Sequence, residues 1–178
     1  GMGFPANDPR LLPHQGALLC QDWPGPKHHA GEIPEDYYVA GDHIADDAHV
    51  LGMIGFHFAC YGAGTPRLDD FAHHSFEEVA PIAPRAFVAN LPQRLLSHPK
   101  GGALAFVGHI ERAWGYSFDW PGAGPQIDVF ESTFHHLMQG KPLGAALEYF
   151  NGRYAEIATI LTGELDVIKQ TNRKPDEF

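Results

Sequence analysis

The chain has 178 residues, 44% of them hydrophobic and 12% aromatic, and a formal net charge of -10. This length suits a single domain, residues 1–178, with a sizeable core, and the composition excludes a disordered chain. The acidity disfavours nucleic acid and anionic membrane surfaces as partners.

In chain order, residues 1–16 carry three prolines and little periodicity and read as an exposed loop. Gly1 ahead of Met2 has the look of a cloning remnant. Ala17-Leu18-Leu19-Cys20 is a short apolar run that predicts a strand or hairpin arm, and Tyr37-Tyr38-Val39-Ala40 predicts another. Between them, residues 23–36 form a loop. Two cysteines, Cys20 and Cys60, are too few for a disulfide framework and point to a reducing, cytoplasmic setting. No signal-peptide pattern and no apolar run of membrane-spanning length occurs.

The stretch 52–66, GMIGFHFACYGAGTP, is the centre of the reading. Its apolar run from Met53 to Ala59 predicts an interior strand covered on both faces, stopped by Cys60 and broken by Gly62, Gly64 and Pro66. Open α/β sheets build their sites at the carboxyl ends of strands, which makes Cys60 a candidate nucleophile. Farther on, Ser75 to Val79 predicts a helical turn. Phe87, Val88, Leu91 and Leu95 are spaced as on a helix that Pro92 kinks or begins, and 103–108 predicts a second buried strand. A strand, a crossover helix and another strand imply a parallel pair. Ile127, Phe130, Phe134 and Leu137 form a helical stripe that Gly140 and Pro142 stop. Leu143, Leu147, Phe150, Tyr154, Ile157 and Leu161 repeat as the core-facing stripe of a helix ended by Gly163, with 163–178 a polar tail.

A cysteine nucleophile needs a base, and the 12 histidines offer many. His43, after the predicted strand 37–40, is the preferred local candidate; His14 and His109 are others, whereas His57 lies between Phe56 and Phe58 as a core residue. Asp42, Asp46, Asp47, Asp69 and Asp70 crowd the loops beside Cys60. Such an acidic rim would attract Arg or Lys side chains, and Trp114 could wall a pocket there. The pairs His28-His29, His73-His74 and His135-His136 point apart on any regular element. No H-E-x-x-H or C-x-x-C spacing is present either, so no metal site is expected.

FHFACYGAGTP resembles the strand-end cysteine segment of caspase-like cysteine peptidases. GGALAFVGHIERAWGYSF and QGKPLGAALEYFNGRYAEI resemble their bacterial gingipain-type and CHAT branches, the likeness covering residues 37–162. The resemblance implies a three-layer αβα sandwich with a mainly parallel sheet and a thiol endopeptidase acting on peptide or protein substrates without a cofactor. It also implies an oxyanion hole made by the N–H of Cys60 and that of the glycine following the catalytic histidine. This chain contains no His-Gly pair. The expectation is therefore a histidine upstream of Gly1, in a domain whose first strands also lie upstream and whose exposed sheet edge could pair with a second copy. Two alternatives stay open: an inactive caspase-like module that binds peptides or signals, and a class I glutamine amidotransferase-like hydrolase, suggested by Cys60-Tyr61-Gly62 and His109-Ile110-Glu111.

Overall fold

The structure is a computed structural model that describes residues 1–69, 81–120, 122 and 124–171. The helical turn expected at Ser75 to Val79, the pair His73-His74, Asp70 and the last seven residues lie outside the described residues. The chain is mixed α/β and divides into two compact units, residues 1–114 and 115–178. Among the described residues no helix is long and apolar enough to cross a membrane.

The first unit begins with a short helix, α1 (Leu11–His14), and strands β1 (Leu18–Leu19) and β2 (Tyr38–Val39), which pair antiparallel with Leu18 opposite Val39. Both strands fall inside the apolar runs that predicted them. The segment expected to be an exposed loop instead contributes part of its length to the core. Met2, Phe4, Leu11 and His14 are all buried, because Met2 donates its N–H to the Ala17 carbonyl and the Gln15 amide oxygen accepts the Phe4 N–H. These bonds fasten the N-terminal segment across β1 and bury its apolar side chains with Tyr38, Ala40 and Ala83.

Strand β3 (Ile54–His57) follows, then β4 (Gly64–Thr65) and β5 (Phe87–Val88), which pair antiparallel, then α2 (Asn90–Leu96) and β6 (Ala105–Gly108). β3 and β6 pair in parallel, Gly55 opposite Phe106, as the strand–helix–strand order implied. A Cβ on Gly55 would stand 2.8 Å from the Phe106 ring, so this glycine lets that ring lie over the strand. β3 is less covered than an interior strand: Ile54 is 38% exposed. Two neighbouring strands do not bury a run that a wide sheet would. Phe87 and Val88 belong to a strand and not to the helix, which starts at Asn90 and holds Pro92 in its first turn, where a missing N–H costs nothing. Val50, Leu91 and Leu95 form a second core cluster against Met53, Ala103 and Phe106.

The second unit has a hairpin, β7 (Asp119–Trp120) with β8 (Gly124–Pro125), and three helices, α3 (Asp128–Met138), α4 (Leu143–Ala146) and α5 (Glu148–Thr171). Phe130 meets Phe118 and Phe150 edge to face, at ring separations of 5.9 and 5.1 Å. α3 ends at Gly140, which takes φ +75°. α5 runs through Gly163 to Thr171 where a stop and a polar tail were expected, because one glycine costs a long helix only about 1 kcal/mol. Its apolar stripe was read as core, yet no α5 residue is buried, and Tyr154 and Leu161 are 76% and 56% exposed.

Candidate functional site

β3 ends at His57, and three residues later the chain turns sharply at Cys60. The turn is held from across the parallel pair: Tyr61 donates its N–H to the Glu111 carbonyl at 2.9 Å, and Ala63 to the His109 carbonyl at 2.8 Å. Gly62 donates to the Ala59 carbonyl at 3.0 Å. Tyr61 adopts φ +57°, the left-handed conformation that costs a side-chain-bearing residue about 1–2 kcal/mol. Its ring repays part of that by being buried, with the Arg112 guanidinium 5.9 Å from its centre. Burial pushes the Tyr61 phenol up, and the Arg112 charge opposes it.

The half-buried Cys60 thiol faces residue 113. The Ala113 N–H approaches Sγ at 3.4 Å and the Ala113 carbonyl at 3.6 Å. Only the first contact survives loss of the thiol proton. No acceptor among the described residues takes the Cys60 N–H, whereas the next three backbone N–H groups are all committed. Gly1 packs directly on this turn, so closely that a Cβ on it would overlap the Cys60 carbonyl. Burial there lowers the pKa of the Gly1 amine, and the Cys60 charge opposes the change.

The two histidines whose backbone adjoins the turn, His57 and His109, behave alike. His57 packs edge to face on Phe106 at 4.3 Å and His109 on Phe58 at 4.7 Å; the Nδ1 atoms of both are buried without a partner among the described residues. Burial, and to a lesser degree the positive N-terminus, pushes the His57 pKa down. Glu111 directs Oε2 at Arg112, while its Oε1 is buried and unpaired among the described residues.

The residues expected to form one site occupy several places. His43 stands in a 3-10 turn (Gly41–His43) whose Ala40 N–H donates to its Nδ1 at 3.2 Å, and its Nε2 meets Glu35 Oε1 at 2.9 Å. Neither ring nitrogen reaches the thiol, whose partners are on Ala113. Asp42 meets His14 Nε2 at 3.0 Å. Burial raises the Asp42 carboxyl, but the His14 bond and the charges of His14 and His43 outweigh it and hold the carboxyl below its ordinary value. Asp69 is buried and held by both Arg112 guanidinium nitrogens, at 2.7 and 2.8 Å. Its charge is thus engaged inside the protein. Asp46 pairs with Arg94, and Trp114, directly after Ala113, is 37% exposed.

His14, Glu35, Asp42 and His43 form a cluster in which one ligand-type atom from each lies within 4.8 Å of the others. Glu35 carried no signal of its own in the sequence. An acid in a loop 21 residues from His14 becomes legible only once β1 and β2 pair. Comparison with protein-family models, with curated proteins and with solved structures returned no match.

Proposed function

We propose that the chain is a cysteine endopeptidase of caspase-like type, with its parallel pair belonging to a three-layer αβα sandwich and Cys60 as the nucleophile. The observation that carries this reading is Cys60 itself. It stands just past the carboxyl end of a parallel strand, partly exposed, with an N–H that no acceptor among the described residues takes and with the backbone of Gly1 packed against it. The reading needs a histidine base, which the described residues do not bring to the thiol.

In the proposed reaction the histidine takes the Cys60 proton and the thiolate adds to a peptide carbonyl. The Cys60 N–H donates to the oxyanion. Collapse transfers the histidine proton to the leaving amine, and water, deprotonated by the same histidine, releases the acyl group and restores the thiol.

The test compares this chain with a version carrying a histidine-containing segment ahead of Gly1, on peptides with Arg, Lys or Asp before the cleaved bond. Cleavage by the extended protein that disappears in Cys60→Ala supports the reading. An extended protein that leaves all three peptides intact, with a thiol no more reactive to iodoacetamide than free cysteine, overturns it. One observation favours a second reading, a peptide-binding module without turnover: no histidine nitrogen among the described residues contacts the Cys60 thiol. Peptide affinity unchanged by Cys60→Ala, without cleavage, would favour that module.

A further inference from the structure

We propose that His14, Glu35, Asp42 and His43 form a binding site for a divalent transition-metal ion of the zinc class. This inference is independent of the thiol. The donor set, two imidazoles and two carboxylates, is the one such ions take, and a dication neutralises the two carboxylates. Spacing supports the choice. A tetrahedral ion with bonds of about 2.0–2.2 Å needs ligand atoms roughly 3.3–3.6 Å apart. Here His14 Nε2 lies 3.0 Å from Asp42 Oδ2 and 3.4 Å from Glu35 Oε1; His43 Nε2 lies 2.9 Å from Glu35 Oε1 and 3.9 Å from Asp42 Oδ1. These four contacts need to change by only a few tenths of an ångström; one ligand atom from each residue spans up to 4.8 Å, so the widest pair must close by about 1 Å as the exposed carboxylates turn toward the ion.

The surroundings fit as well. His14 is buried at 6% exposure, and its other nitrogen, Nδ1, meets the Tyr38 hydroxyl at 2.9 Å. In the metal-free protein Nε2 holds the proton it gives to Asp42; an ion replaces that proton when it moves to Nδ1, where the Tyr38 hydroxyl can accept it, the outer-shell arrangement that orients a metal-ligating histidine. An open cavity of about 380 Å³ lined by Glu35, Asp36, Tyr38 and His43 gives an ion a way in. His43 is the weakest ligand. Its Nδ1 accepts the Ala40 N–H, so its Nε2 holds a proton that it gives to Glu35, and the ring must turn before Nε2 can bind. His14, Glu35 and Asp42 therefore bind first, and His43 closes the site.

Zn2+ is titrated into the full chain against a chromophoric chelator, with Co2+ absorption reporting geometry. One ion per chain is expected, with the intense visible bands of four-coordinate Co2+. Glu35→Gln and Asp42→Asn are half-exposed near-isosteres that leave the fold intact, and each should weaken binding at least about tenfold. His43→Ala should weaken it less than either, and Tyr38→Phe should also weaken it through His14. Because 12 histidines could bind ions weakly, His28→Ala/His29→Ala serves as the control and should bind as the parent does. Absence of 1:1 binding, or equal affinity in the Glu35→Gln/Asp42→Asn double variant and the parent, overturns the proposal.

Discussion

The two polar clusters of residues 1–114 are built in opposite ways. Around the thiol turn, His57 Nδ1, His109 Nδ1 and Glu111 Oε1 are buried without partners among the described residues, and Tyr61 holds a left-handed φ. In the histidine–carboxylate cluster every ring nitrogen of His14 and His43 has a partner. A buried polar atom left unpaired costs about 1–3 kcal/mol. The thiol turn thus carries a standing cost, whereas the polar groups of the second cluster are satisfied as they stand, and the proposed ion would enter only by exchanging bonds already made. Strain beside a reactive group is the usual mark of a site built for chemistry. A satisfied donor set around a cavity is the mark of a site built for binding.

The largest expected effect tests the chemical half of this contrast. In a protein extended by a histidine ahead of Gly1, Cys60→Ala should lower peptide cleavage at least about a thousandfold, since a nucleophile and its base fail together. Substitution of the second cluster should leave that rate within a few-fold; an equal loss from Glu35→Gln would show that the two clusters are one site.

The next effect is on stability. Arg112→Met removes both guanidinium bonds to the buried Asp69 carboxylate and should cost about 2 kcal/mol, below the value for a fully buried pair because Arg112 is a quarter exposed. Glu35→Gln, whose side chain is 55% exposed, should cost less than about 1 kcal/mol. Urea unfolding of both variants measures the difference, and equal costs would erase the distinction between a buried scaffold and an open cluster.

Gly16→Ala should come next, at about 2 kcal/mol. Gly16 takes φ +77°, and a Cβ there would overlap the Tyr61 carbonyl. Gly25 takes φ +88° with nothing within 4 Å, so Gly25→Ala should show only the conformational part, about 1 kcal/mol. Their difference measures how tightly the N-terminal segment backs the thiol turn.

The parts legible in the sequence are those set by neighbours in the chain. Ile54 to His57 and Ala105 to Gly108 show as apolar runs bounded by turn residues, and their parallel pairing follows from the crossover between them. The end of α3 shows in Gly140 and Pro142. What was illegible depends on distant partners. Met2, Phe4 and Leu11 look like loop residues until the bonds from Met2 to Ala17 and from Phe4 to Gln15 draw them inward. The α5 stripe reads as core because amphipathicity shows that a face is apolar, not that anything covers it. The position of Cys60 past a strand end was readable only approximately, since the strand stops at His57 and not at the cysteine. The engagement of Asp69 by Arg112, 43 residues away, was not, and an acid already paired looks in sequence like an acid free to bind substrate.

The smallest expected effect is a pH dependence confined to the thiol turn. Burial, and secondarily the nearby N-terminal charge, lowers the His57 pKa in the folded state below the ordinary histidine value of about 6.5. The unfolded chain therefore binds this proton more readily than the folded one. Stability contributed by the neutral ring is present above about pH 6.5 and is lost as pH falls through the lower folded value. Urea midpoints measured from pH 7 to pH 5 should fall in the parent and fall less steeply in His57→Gln, which retains a polar side chain but cannot titrate. Extending the chain ahead of Gly1 replaces the amine by an uncharged amide and should shrink the difference slightly without removing it, because burial is the larger cause. Parallel slopes for parent and His57→Gln would mean that the ring gains a partner in solution. The thiol turn would then be no more strained in its polar groups than the cluster it is contrasted with.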